Sequence, residues 1–452
     1  MKHIHFIGIG GYSMSGLALW LHQQGSTVTG SDMNPSSRTD RLAKAGIPVV
    51  FGHAAENVDR ADQVVYNTDV REDNVERQEA MRRGIPLLHR SDVLAEVLKA
   101  KRAVTVSGTH GKTTTTTMIG TLLAYAGQDP SVLVGGEVEA FGGNVRVGQS
   151  DWVVAEADES DGTFLRYRPE VAVATNVEAE HLEHFGGSFE NLIEAFRQYL
   201  SSVPARGVAV VGIDNAVLES LSRQLSVPTL TYGFHAQAQL RGVVEDQDAT
   251  GTVFQVYYQG NMVGRVRLQV PGRHNVQNAL AALAVAAHLG IPWQTAFDAL
   301  EQFRNANRRF QVLVPGPVLV VDDYAHHPTE IKATLEACRQ VTQGRVVVLF
   351  QPQRYVRTYH LWDQFVESFD LADILVLTEI YSPPGELPIA GVTGQALADA
   401  VRNRRPGGVF YVPDMFDAVE LVMPLLTPGD TFLTMGAGPV YKVGERVSEL
   451  LA

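Results

Sequence analysis

The sequence predicts an α/β protein built from mainly parallel, doubly wound sheets. Short runs of apolar, β-branched residues recur along the chain, and segments with a helical spacing of apolar residues separate them. Glycine-rich or polar turns follow several of these runs, which is typical of the carboxyl ends of parallel strands. A length of 452 residues suggests three domains at roughly 150 residues each.

The composition is that of an ordinary globular protein with ample core, because 45% of the residues are apolar and 19% are charged. The 37 basic and 50 acidic residues give a net charge of −13, which disfavours a role in nucleic-acid binding. The single cysteine, Cys338, excludes a disulfide framework and fits the reducing cytoplasm. No apolar run approaches the roughly 18 residues of a membrane span, so we expect neither export nor a transmembrane segment.

The chain begins with a βαβ unit that contains a glycine-rich turn. The predicted segments are a strand at 3–9, a helix at 17–24 and a strand at 27–30. The turn contains Gly10 and Gly11, but Ser13 stands where the third glycine of the dinucleotide fingerprint would lie. The unit therefore favours binding of phosphate or pyrophosphate over binding of nicotinamide. Asp32, after the second strand, either caps the next turn or holds a ribose.

Further strand–helix units continue to residue 99. The predicted segments are a strand at 64–66, a helix at 76–83, a strand at 85–88 and a helix at 93–99. Ser91 or Asp92 is a natural N-cap for the last helix. His89 and Arg90 precede it, and Arg90 is either a phosphate contact or a solvated arginine. The basic residues 99–102 read as a linker, so we place a domain boundary near residue 100.

A phosphate-binding loop is the strongest motif in the chain. The apolar run 103–106 reads as a buried strand, and the chain then turns into a helix through Gly108, Thr109, His110, Gly111, Lys112, Thr113 and Thr114. Such a turn directs backbone N–H groups and the positive end of a helix dipole at one point. Lys112 adds a positive charge, and the Thr113 hydroxyl is a candidate Mg²⁺ ligand. Val106 replaces the first glycine of the usual motif, so the loop is a shorter Gly-x-x-Gly-Lys-Thr form.

Acidic residues follow the next predicted strand, at 152–155. Four carboxylates lie within six positions, at Glu156, Asp158, Glu159 and Asp161. Carboxylates this close favour a bound cation, and Mg²⁺ is the simplest choice beside a phosphate loop, with a solvated acidic turn as the alternative. A further buried strand is predicted from Val171, and it ends in the polar residues Asn176, Glu178, Glu180 and His181. His181 is either a surface histidine or a ligand of a second metal ion.

The rest of the central region continues the strand–helix alternation. Strands are predicted at 208–211 and 229–232, and residues 240–270 alternate like an antiparallel hairpin. Asn275 and Asn278 lie three positions apart at the start of an alanine-rich helix. They either pair with the edge of a base or cap the helix.

The third region begins near residue 308. Strands are predicted at 318–321, 346–350, 374–378 and 432–434. Polar residues follow the first two of these strands, namely Asp322, Asp323, Tyr324, His326, His327, Arg354 and Arg357. Ligands of a doubly wound sheet gather at the carboxyl ends of its strands. We therefore expect a ligand carboxylate to be held there by arginine.

Six motifs, in order and spacing from about residue 3 to 440, resemble those of the Mur ligases. They are Gly108-Thr-His-Gly-Lys-Thr-Thr, Glu156-Ala-Asp-Glu-Ser-Asp, Thr175-Asn-Val-Glu-Ala-Glu-His, Gly272-Arg-His-Asn-Val-Gln-Asn, Asp322-Asp-Tyr-Ala-His-His-Pro-Thr-Glu and Gln351-Pro-Gln-Arg-Tyr-Val-Arg-Thr. The resemblance implies three domains. They are a Rossmann-like UDP-sugar domain (1–100), a P-loop ATPase domain with a mainly parallel sheet and a small antiparallel sheet (101–307), and a Rossmann-like amino-acid domain (308–452).

The resemblance, strongest to the alanine-adding branch, implies an ATP-dependent ligase that joins L-alanine to the lactyl carboxylate of UDP-N-acetylmuramate in peptidoglycan precursor synthesis. It further implies ATP with two Mg²⁺ ions, a cytoplasmic location, and a monomer or homodimer. The implied catalytic residues are Lys112, His181, Asp323, His326, Arg354 and Arg357. The implied nucleotide-binding residues are 108–114 with Asn275 and Asn278, and the implied metal ligands are Thr113, Glu156 and His181. The implied substrate-binding residues are Gly10, Gly11, Ser13, Asp32, His89, Arg90 and Tyr324.

The chain departs from the family pattern at three positions. Ser13 stands where a glycine usually precedes the methionine of the first turn, Gln353 replaces a histidine, and Pro439 replaces an acid. The alternatives are a family member with another acceptor, such as a murein-tripeptide recycling ligase, and a non-catalytic paralogue that binds UDP-sugars. A folylpolyglutamate-type ligase would not explain the glycine-rich start, and a switch GTPase would need guanine-reading motifs that are absent.

Overall fold

The computed structural model describes residues 2–160, 162–180, 182–248, 250–304, 307–314, 316–382, 386–405 and 407–451. The described residues form three sheets. The chain divides into two compact units. The first unit comprises residues 1–243, 255–266 and 277–306, and the second comprises 244–254, 267–276 and 307–452. Each sheet lies inside one of the three ranges assigned from the sequence, and the boundaries near 100 and 307 remain predictions.

The first sheet is parallel throughout and has the strand order β3-β2-β1-β4-β5. Its strands are β1 (His3–Ile7), β2 (Thr27–Asp32), β3 (Val49–Phe51), β4 (Gln63–Tyr66) and β5 (Leu87–His89). The helices of this region are α1 (Tyr12–Gln23), α2 (Ser37–Lys44), α3 (Val75–Arg83) and α4 (Arg90–Lys99). The turn after β1 and the start of α4 both lie at the carboxyl edge of the sheet, where ligands of such folds collect.

The second sheet has ten strands in the order β15-β14-β13-β12-β11-β10-β6-β9-β7-β8. The strands are β6 (Arg102–Ser107), β7 (Ser131–Val138), β8 (Gly143–Arg146), β9 (Trp152–Glu156), β10 (Val171–Ala174), β11 (Val208–Gly212), β12 (Thr229–Gly233), β13 (Leu240–Asp248), β14 (Gly251–Tyr258) and β15 (Asn261–Leu268). The helices are α5 (Lys112–Tyr125), α6 (Phe189–Leu200), α7 (Ala216–Ser222), α8 (Arg273–His288) and α9 (Trp293–Glu301). The central strands β10, β6 and β9 are parallel and almost entirely buried, as their apolar sequences require.

The third sheet has the order β16-β17-β21-β18-β19-β20, with β16 antiparallel to β17 and the other pairs parallel. The strands are β16 (Gln311–Val314), β17 (Leu319–Asp323), β18 (Val346–Phe350), β19 (Ile374–Leu377), β20 (Val409–Tyr411) and β21 (Thr431–Met435). The helices are α10 (Pro328–Val341), α11 (Tyr355–His360), α12 (Trp362–Val366), α13 (Gly394–Arg404), α14 (Asp417–Val422) and α15 (Tyr441–Leu451). The predicted α/β fold with mainly parallel sheets is confirmed.

Two helix starts differ from the sequence prediction. Helix α1 begins at Tyr12 and not at residue 17, because the Gly11 carbonyl already accepts from the Ser15 N–H at 2.8 Å. Helix α4 begins at Arg90, and its N-cap is His89 and not Ser91 or Asp92. The His89 ring accepts from the Ser91 N–H, and the Asp92 carboxylate accepts from the His89 N–H at 3.1 Å. A histidine ring thus takes the role that statistics assign to small polar side chains.

The other differences concern strands. Residues 240–268 form three strands that continue the ten-stranded sheet, where the sequence predicted a two-stranded hairpin. Strands β3, β7, β8, β16 and β20 were not predicted, because none of them contains more than three consecutive apolar residues. Among the described residues, no helix combines the length and the apolarity that crossing a bilayer requires.

Candidate active site

The phosphate loop joins β6 to α5 and depends on two glycines. Gly108 has φ +142°, and a Cβ there would overlap the Thr175 hydroxyl. Gly111 has φ +83°, and a Cβ there would lie 2.6 Å from Asn278 Oδ1. Any side chain at either position would both strain the backbone and displace a neighbour. The turn therefore requires glycine at both positions, and the backbone N–H groups stay accessible at the start of α5.

Residues that follow β10 hold the loop in this conformation. The Asn176 carboxamide accepts from the His110 N–H at 2.8 Å and donates to the His110 carbonyl at 3.1 Å. Thr175 Oγ1 donates to the same carbonyl at 2.6 Å, and Thr109 Oγ1 accepts from the Glu178 N–H at 2.9 Å. The loop is thus pre-organised by side chains from the neighbouring parallel strand. Pre-organised N–H groups stabilise phosphate charge without a reorganisation cost when the ligand binds.

Lys112 is paired with Glu159. Its Nζ lies 2.9 Å from both carboxylate oxygens of Glu159, and it donates to the carbonyls of Gly108 at 2.6 Å and Thr109 at 3.3 Å. Burial alone would lower the pKa of Lys112, but the charges of Glu159 and Asp158 raise it above its ordinary value. Burial raises the pKa of Glu159 to about 7 against the opposing charge of Lys112. Lys112 therefore carries its positive charge at neutral pH.

Thr113 and Glu156 form a pair suited to a divalent cation. The Glu156 carboxylate accepts from the Gly135 N–H at 2.7 Å and from the Thr113 side chain. Burial raises the pKa of Glu156, and these hydrogen bonds with the charge of Lys112 oppose that shift. A hydroxyl and a carboxylate in contact at the start of the loop helix are hard oxygen donors of the kind that Mg²⁺ prefers. The residues present thus fit Mg²⁺.

The two asparagines of α8 contact different parts of the protein. Asn278 Oδ1 accepts from the Thr115 hydroxyl at 3.1 Å and lies against Gly111. Asn275 is buried and donates to the Pro271 carbonyl at 2.7 Å. Thr114 is also buried, in the first turn of α5. The structure therefore places Asn278 beside the phosphate loop, whereas Asn275 closes the turn that leads into its own helix.

The first glycine turn is held by Asp32. Its Oδ2 accepts from the Gly10 N–H at 2.8 Å, and its Oδ1 accepts from the Asn34 N–H at 3.2 Å. The Gly11 N–H donates to the Gly8 carbonyl at 3.1 Å. Asp32 thus supports the turn with one oxygen and caps the following turn with the other, which favours the capping alternative derived from the sequence.

Arg38, which the sequence analysis missed, extends this support. Its Nε donates to the Gly10 carbonyl at 2.5 Å, its guanidinium lies 4.0 Å from the centre of the Tyr12 ring, and Nη1 reaches Glu137 Oε1 at 3.5 Å. The guanidinium therefore links the glycine turn to β7, which carries Glu137. No sequence motif marks Arg38, because its partners are 26 to 99 residues away in the chain.

A cavity of about 230 Å³ lies between the start of α1, directly after the glycine turn, and the acidic end of β9. Its lining includes Ser13 from α1, Arg90 from α4, Gly135 and Asn144 from β7 and β8, Glu156 at the end of β9, and Asp158 just after that strand. Burial alone would raise the pKa of Asp158, but the charge of Lys112 and hydrogen bonds from Ser160 lower it below its ordinary value. The charge of Arg90 makes a smaller contribution in the same direction. His89 is not part of this lining, because its ring caps α4. The cavity brings together the positive charge of Arg90 and Glu156, one of the two candidate cation ligands.

In the second unit, the carboxyl end of β17 carries Asp323, whose implied catalytic role stays a prediction. Asp323 is buried and accepts from the N–H groups of Phe310 at 2.6 Å and Ala325 at 2.8 Å, and from the Thr334 hydroxyl at 3.2 Å. Burial raises its pKa to about 6, opposed by Arg309 and these backbone donors. Asp323 therefore fixes the turn that carries Tyr324 and His326. His326 Nδ1 donates to the Tyr324 carbonyl at 3.0 Å and also lies 3.3 Å from Glu330 Oε2.

The carboxyl end of β18 carries two arginines. Arg354 adopts φ +68°, a left-handed conformation that is unusual for a residue other than glycine, and it caps the start of α11. Arg357 lies one turn into that helix and donates from Nη1 to Gln353 Oε1 at 2.8 Å. Strained backbone of this kind is concentrated at binding and catalytic sites.

Three family models match consecutive parts of the chain. Residues 3–102 match the Mur ligase family catalytic domain, 106–286 match the Mur ligase middle domain, and 308–438 match the Mur ligase glutamate ligase domain. The chain belongs to the Mur ligase family. The resemblance derived from the six motifs is therefore confirmed.

Named relatives are similar in sequence to this chain over its full length or nearly so. A UDP-N-acetylmuramate–L-alanine ligase from Symbiobacterium thermophilum is 47% identical and covers 100% of this chain and 95% of its own. An enzyme of the same name from Pelotomaculum thermopropionicum is 43% identical and covers 98% and 96%. The crystal structure of UDP-N-acetylmuramate–alanine ligase from Thermotoga maritima aligns with a TM-score of 0.85 at 30% identity over 100% of this chain and 99% of that one. A murein peptide ligase from Psychrobacter arcticus aligns with a TM-score of 0.72 at 27% identity, with the same coverage.

Most of the residues singled out from the sequence of this Mur ligase lie in two groups, one in each unit. The first unit brings Lys112, Thr113 and Glu156 together and places Ser13 and Arg90 on the adjoining cavity. The second unit holds Tyr324, His326, Arg354 and Arg357 after β17 and β18. His181 lies outside the described residues, so its metal-ligand role stays a prediction. Glu159 was noted only as one of four clustered acids, and its pairing with Lys112 was not foreseen.

Proposed function

We propose that this protein is an ATP-dependent ligase that joins L-alanine to the lactyl carboxylate of UDP-N-acetylmuramate. The observation that carries the proposal is the shared cavity, which is lined both by the start of α1, directly after the glycine turn, with Arg90 and by Glu156 of the candidate cation pair. A sugar-nucleotide diphosphate fits the turn, and its carboxylate would then lie beside the phosphate loop. The similarity to enzymes named for this reaction supports the choice of substrates.

The reaction is a phosphoryl transfer followed by amide formation. The γ-phosphate of ATP passes to the lactyl carboxylate and gives an acyl phosphate and ADP. The amine of L-alanine then attacks the acyl carbon, and the tetrahedral intermediate releases phosphate as the amide forms. No protein nucleophile is needed, so the site acts by positioning the reactants and neutralising charge.

The residues of the first unit take the charge-neutralising roles. The N–H groups of Gly111, Lys112 and Thr113 cradle the phosphates, since those of Thr109 and His110 already donate to Asn176. Lys112 supplies a positive charge next to them. Thr113 and Glu156 would hold Mg²⁺, which shields phosphate charge when bound. Arg90 faces the cavity and is suited to the acidic groups of the sugar nucleotide.

The residues of the second unit are suited to the amino acid. Arg354 and Arg357 offer planar guanidinium groups that match a carboxylate. Tyr324 and His326 follow β17, with ring centres 5.2 Å apart, and Asp323 anchors their turn. We further propose a cytoplasmic location, because ATP is the energy source. A monomer or homodimer remains a prediction.

An assay of ADP release tests the proposal. Purified protein is supplied with ATP and Mg²⁺, with and without UDP-N-acetylmuramate, and with each of the twenty amino acids or the murein tripeptide. We expect turnover only when the sugar nucleotide and an amino acid are both present, with L-alanine preferred. Preference for the tripeptide would reassign the protein to the recycling branch. ADP release that does not depend on the sugar nucleotide would leave the ligase proposal without support, and binding without turnover would indicate a sensor.

A further inference from the structure

Strand β7 has an irregular segment between its two pairings with β8. Leu133 pairs with Val145 and Val138 pairs with Gly143, so residues 134–137 of β7 lie opposite a single residue of β8. The parallel pairing of β7 with β9 also ends at Leu133. We call residues 134–137 the β7 bulge. Extra residues in one strand leave backbone groups outside the ladder, so side chains of neighbouring elements can determine the position of such a segment.

The first half of the β7 bulge lies against the candidate cation pair. The Gly135 N–H donates to Glu156 Oε1 at 2.7 Å, and a Cβ on Gly135 would lie 2.8 Å from Glu156 Oε2. A Cβ on Gly136 would lie 3.3 Å from Thr113 Cγ2. The backbone of the bulge is therefore in close contact with both residues of the pair, and its position determines where the Glu156 carboxylate is held.

The end of the β7 bulge is tied to the glycine turn. Glu137 Oε1 accepts from the Ser37 hydroxyl at 3.1 Å and lies 3.5 Å from Arg38 Nη1, and both partners belong to the first turn of α2. Arg38 Nε in turn donates to the Gly10 carbonyl at 2.5 Å. The side chains of Glu137 and Arg38 are 34% and 23% exposed, so the ion pair is less screened by water than one at an open surface.

A continuous series of contacts thus connects the turn that would hold the sugar nucleotide with the carboxylate that would hold Mg²⁺. It passes from the Gly10 carbonyl through Arg38 to Glu137. It then follows the β7 bulge to Gly135 and ends at Glu156. Such a series can transmit an energetic coupling between two sites, and the coupling must act equally in both directions.

We propose that Glu137 is a positioning residue that, through Arg38, couples sugar-nucleotide binding at the glycine turn to the binding of ADP or ATP with Mg²⁺ at the phosphate loop. The proposal rests on the proposed function, because the two ligands are taken from it. Glu137 acts by fixing the β7 bulge, and Arg38 acts by fixing the Gly10 carbonyl. The pair was not singled out from the sequence, because its members are 99 residues apart.

Two single variants, their combination and one control test this inference. Glu137→Ala removes both contacts of the carboxylate, and Arg38→Met keeps an unbranched side chain but removes the guanidinium. Glu139→Ala is the matched control, because Glu139 is an exposed glutamate two residues further along the chain. If Glu137→Ala fails to fold, Glu137→Gln, which keeps the size of the side chain and removes its charge, takes its place.

Calorimetry measures the Kd of UDP-N-acetylmuramate without nucleotide and with saturating ADP and Mg²⁺. The ratio of the first Kd to the second is the coupling factor, and the midpoint of thermal unfolding is recorded for each variant. We expect a factor of about 5 or more in the wild type and in Glu139→Ala, and of about 2 or less in Glu137→Ala and Arg38→Met. The double variant should lose no more coupling than either single variant, because both residues act in one series of contacts.

A wild-type coupling factor of about 1 would overturn the proposal, and so would a wild-type factor in Glu137→Ala. A merely structural role would weaken both Kd values equally and lower the unfolding midpoint at an unchanged factor, which would also overturn it. Additive losses in the double variant would contradict the single series of contacts. Failure of the proposed function is distinguishable, because the unmodified protein would then bind no UDP-N-acetylmuramate in either condition, and the proposal would fall with it.

Discussion

Lys112 and Glu159 form a buried ion pair in which both carboxylate oxygens lie 2.9 Å from the lysine Nζ. The same Nζ also donates to two loop carbonyls, so its donors are already used before any nucleotide binds. A phosphate group can gain a full contact with Lys112 only by competing with Glu159. The ion pair therefore stabilises the loop in the ligand-free protein and opposes nucleotide binding.

We predict that Glu159→Gln binds nucleotide more tightly than the wild type. The amide keeps the size of the side chain but removes the charge that competes for Lys112, and the expected gain in affinity for ADP with Mg²⁺ is about 5- to 10-fold. Calorimetry would measure it. Glu96→Gln is the control, because Glu96 is an exposed glutamate of α4 in the same unit. Weaker binding by Glu159→Gln would show instead that the carboxylate helps Lys112 to bind phosphate.

Removal of the lysine should abolish turnover while leaving the sugar nucleotide bound. In Lys112→Ala we expect kcat to fall by about 10³-fold or more, because the charge next to the transferred phosphate is lost. The affinity for UDP-N-acetylmuramate, measured by calorimetry, should change by less than about 3-fold, because Lys112 is not part of the cavity lining.

The substitution also leaves Glu159 buried without its partner, which should lower stability. The double variant Lys112→Ala/Glu159→Gln removes the unpaired charge, so we expect it to recover most of the lost stability and none of the activity. Equal loss of turnover and of sugar-nucleotide binding in Lys112→Ala would contradict our assignment of the two ligands to separate parts of the site.

The two glycines of the first turn should respond differently to alanine. A Cβ on Gly10 would lie 2.8 Å from Asp32 Oδ2 and 3.0 Å from Thr39 Cγ2, whereas a Cβ on Gly11 would meet no atom closer than 3.5 Å. Gly11 also has an ordinary φ of −61°. We expect Gly10→Ala to lower the free energy of unfolding by about 1–3 kcal/mol and Gly11→Ala by less than about 0.5 kcal/mol. Urea unfolding of the two variants provides the comparison, and equal losses would show that the support by Asp32 is unimportant.

Short stretches of sequence were enough to predict those parts of the candidate site that lie at the ends of strands. The phosphate loop, the acidic residues after β9 and the arginines after β18 all lie at strand ends, where a run of apolar residues stops and polar residues begin. Because parallel strands end at the same edge, sequence order alone indicates which residues can gather there. The fold class followed from the same alternation of strands and helices.

The contacts between distant residues could not be predicted in this way. Glu159 is 47 residues from Lys112, and Arg38 is 28 residues from Gly10, so no spacing rule relates them. The cap of α4 was assigned to Ser91 or Asp92 because small polar residues are the usual caps, whereas the ring of His89 forms the bond. These details are fixed by tertiary packing, which decides among several locally acceptable partners.

A buried polar network around Glu76 predicts how the free energy of unfolding depends on pH. The Glu76 side chain is fully buried and accepts from Ser31 Oγ at 2.7 Å and Asn57 Nδ2 at 2.7 Å, and it lies 3.2 Å from His5 Nε2. Burial alone would raise the pKa of Glu76, but hydrogen bonds from His5, Asn57 and Ser31 lower it to about 2. A carboxyl group whose pKa is lower in the folded state stabilises the fold at pH values above its unfolded pKa. That stabilisation is lost as the pH falls toward the folded pKa.

We therefore predict that Glu76→Gln lowers the free energy of unfolding at pH 7 by roughly 2–4 kcal/mol. The difference from the wild type should shrink as the pH falls from 4.5 toward 2, because the wild-type carboxyl group then loses the charge that its partners stabilise. Urea unfolding at pH 7, 5, 4 and 3 would measure the difference. Glu72→Gln is the matched control, since Glu72 is exposed and lies four residues earlier in the chain. A difference that stays constant with pH would show that Glu76 acts through packing alone and that its charge does not stabilise the fold.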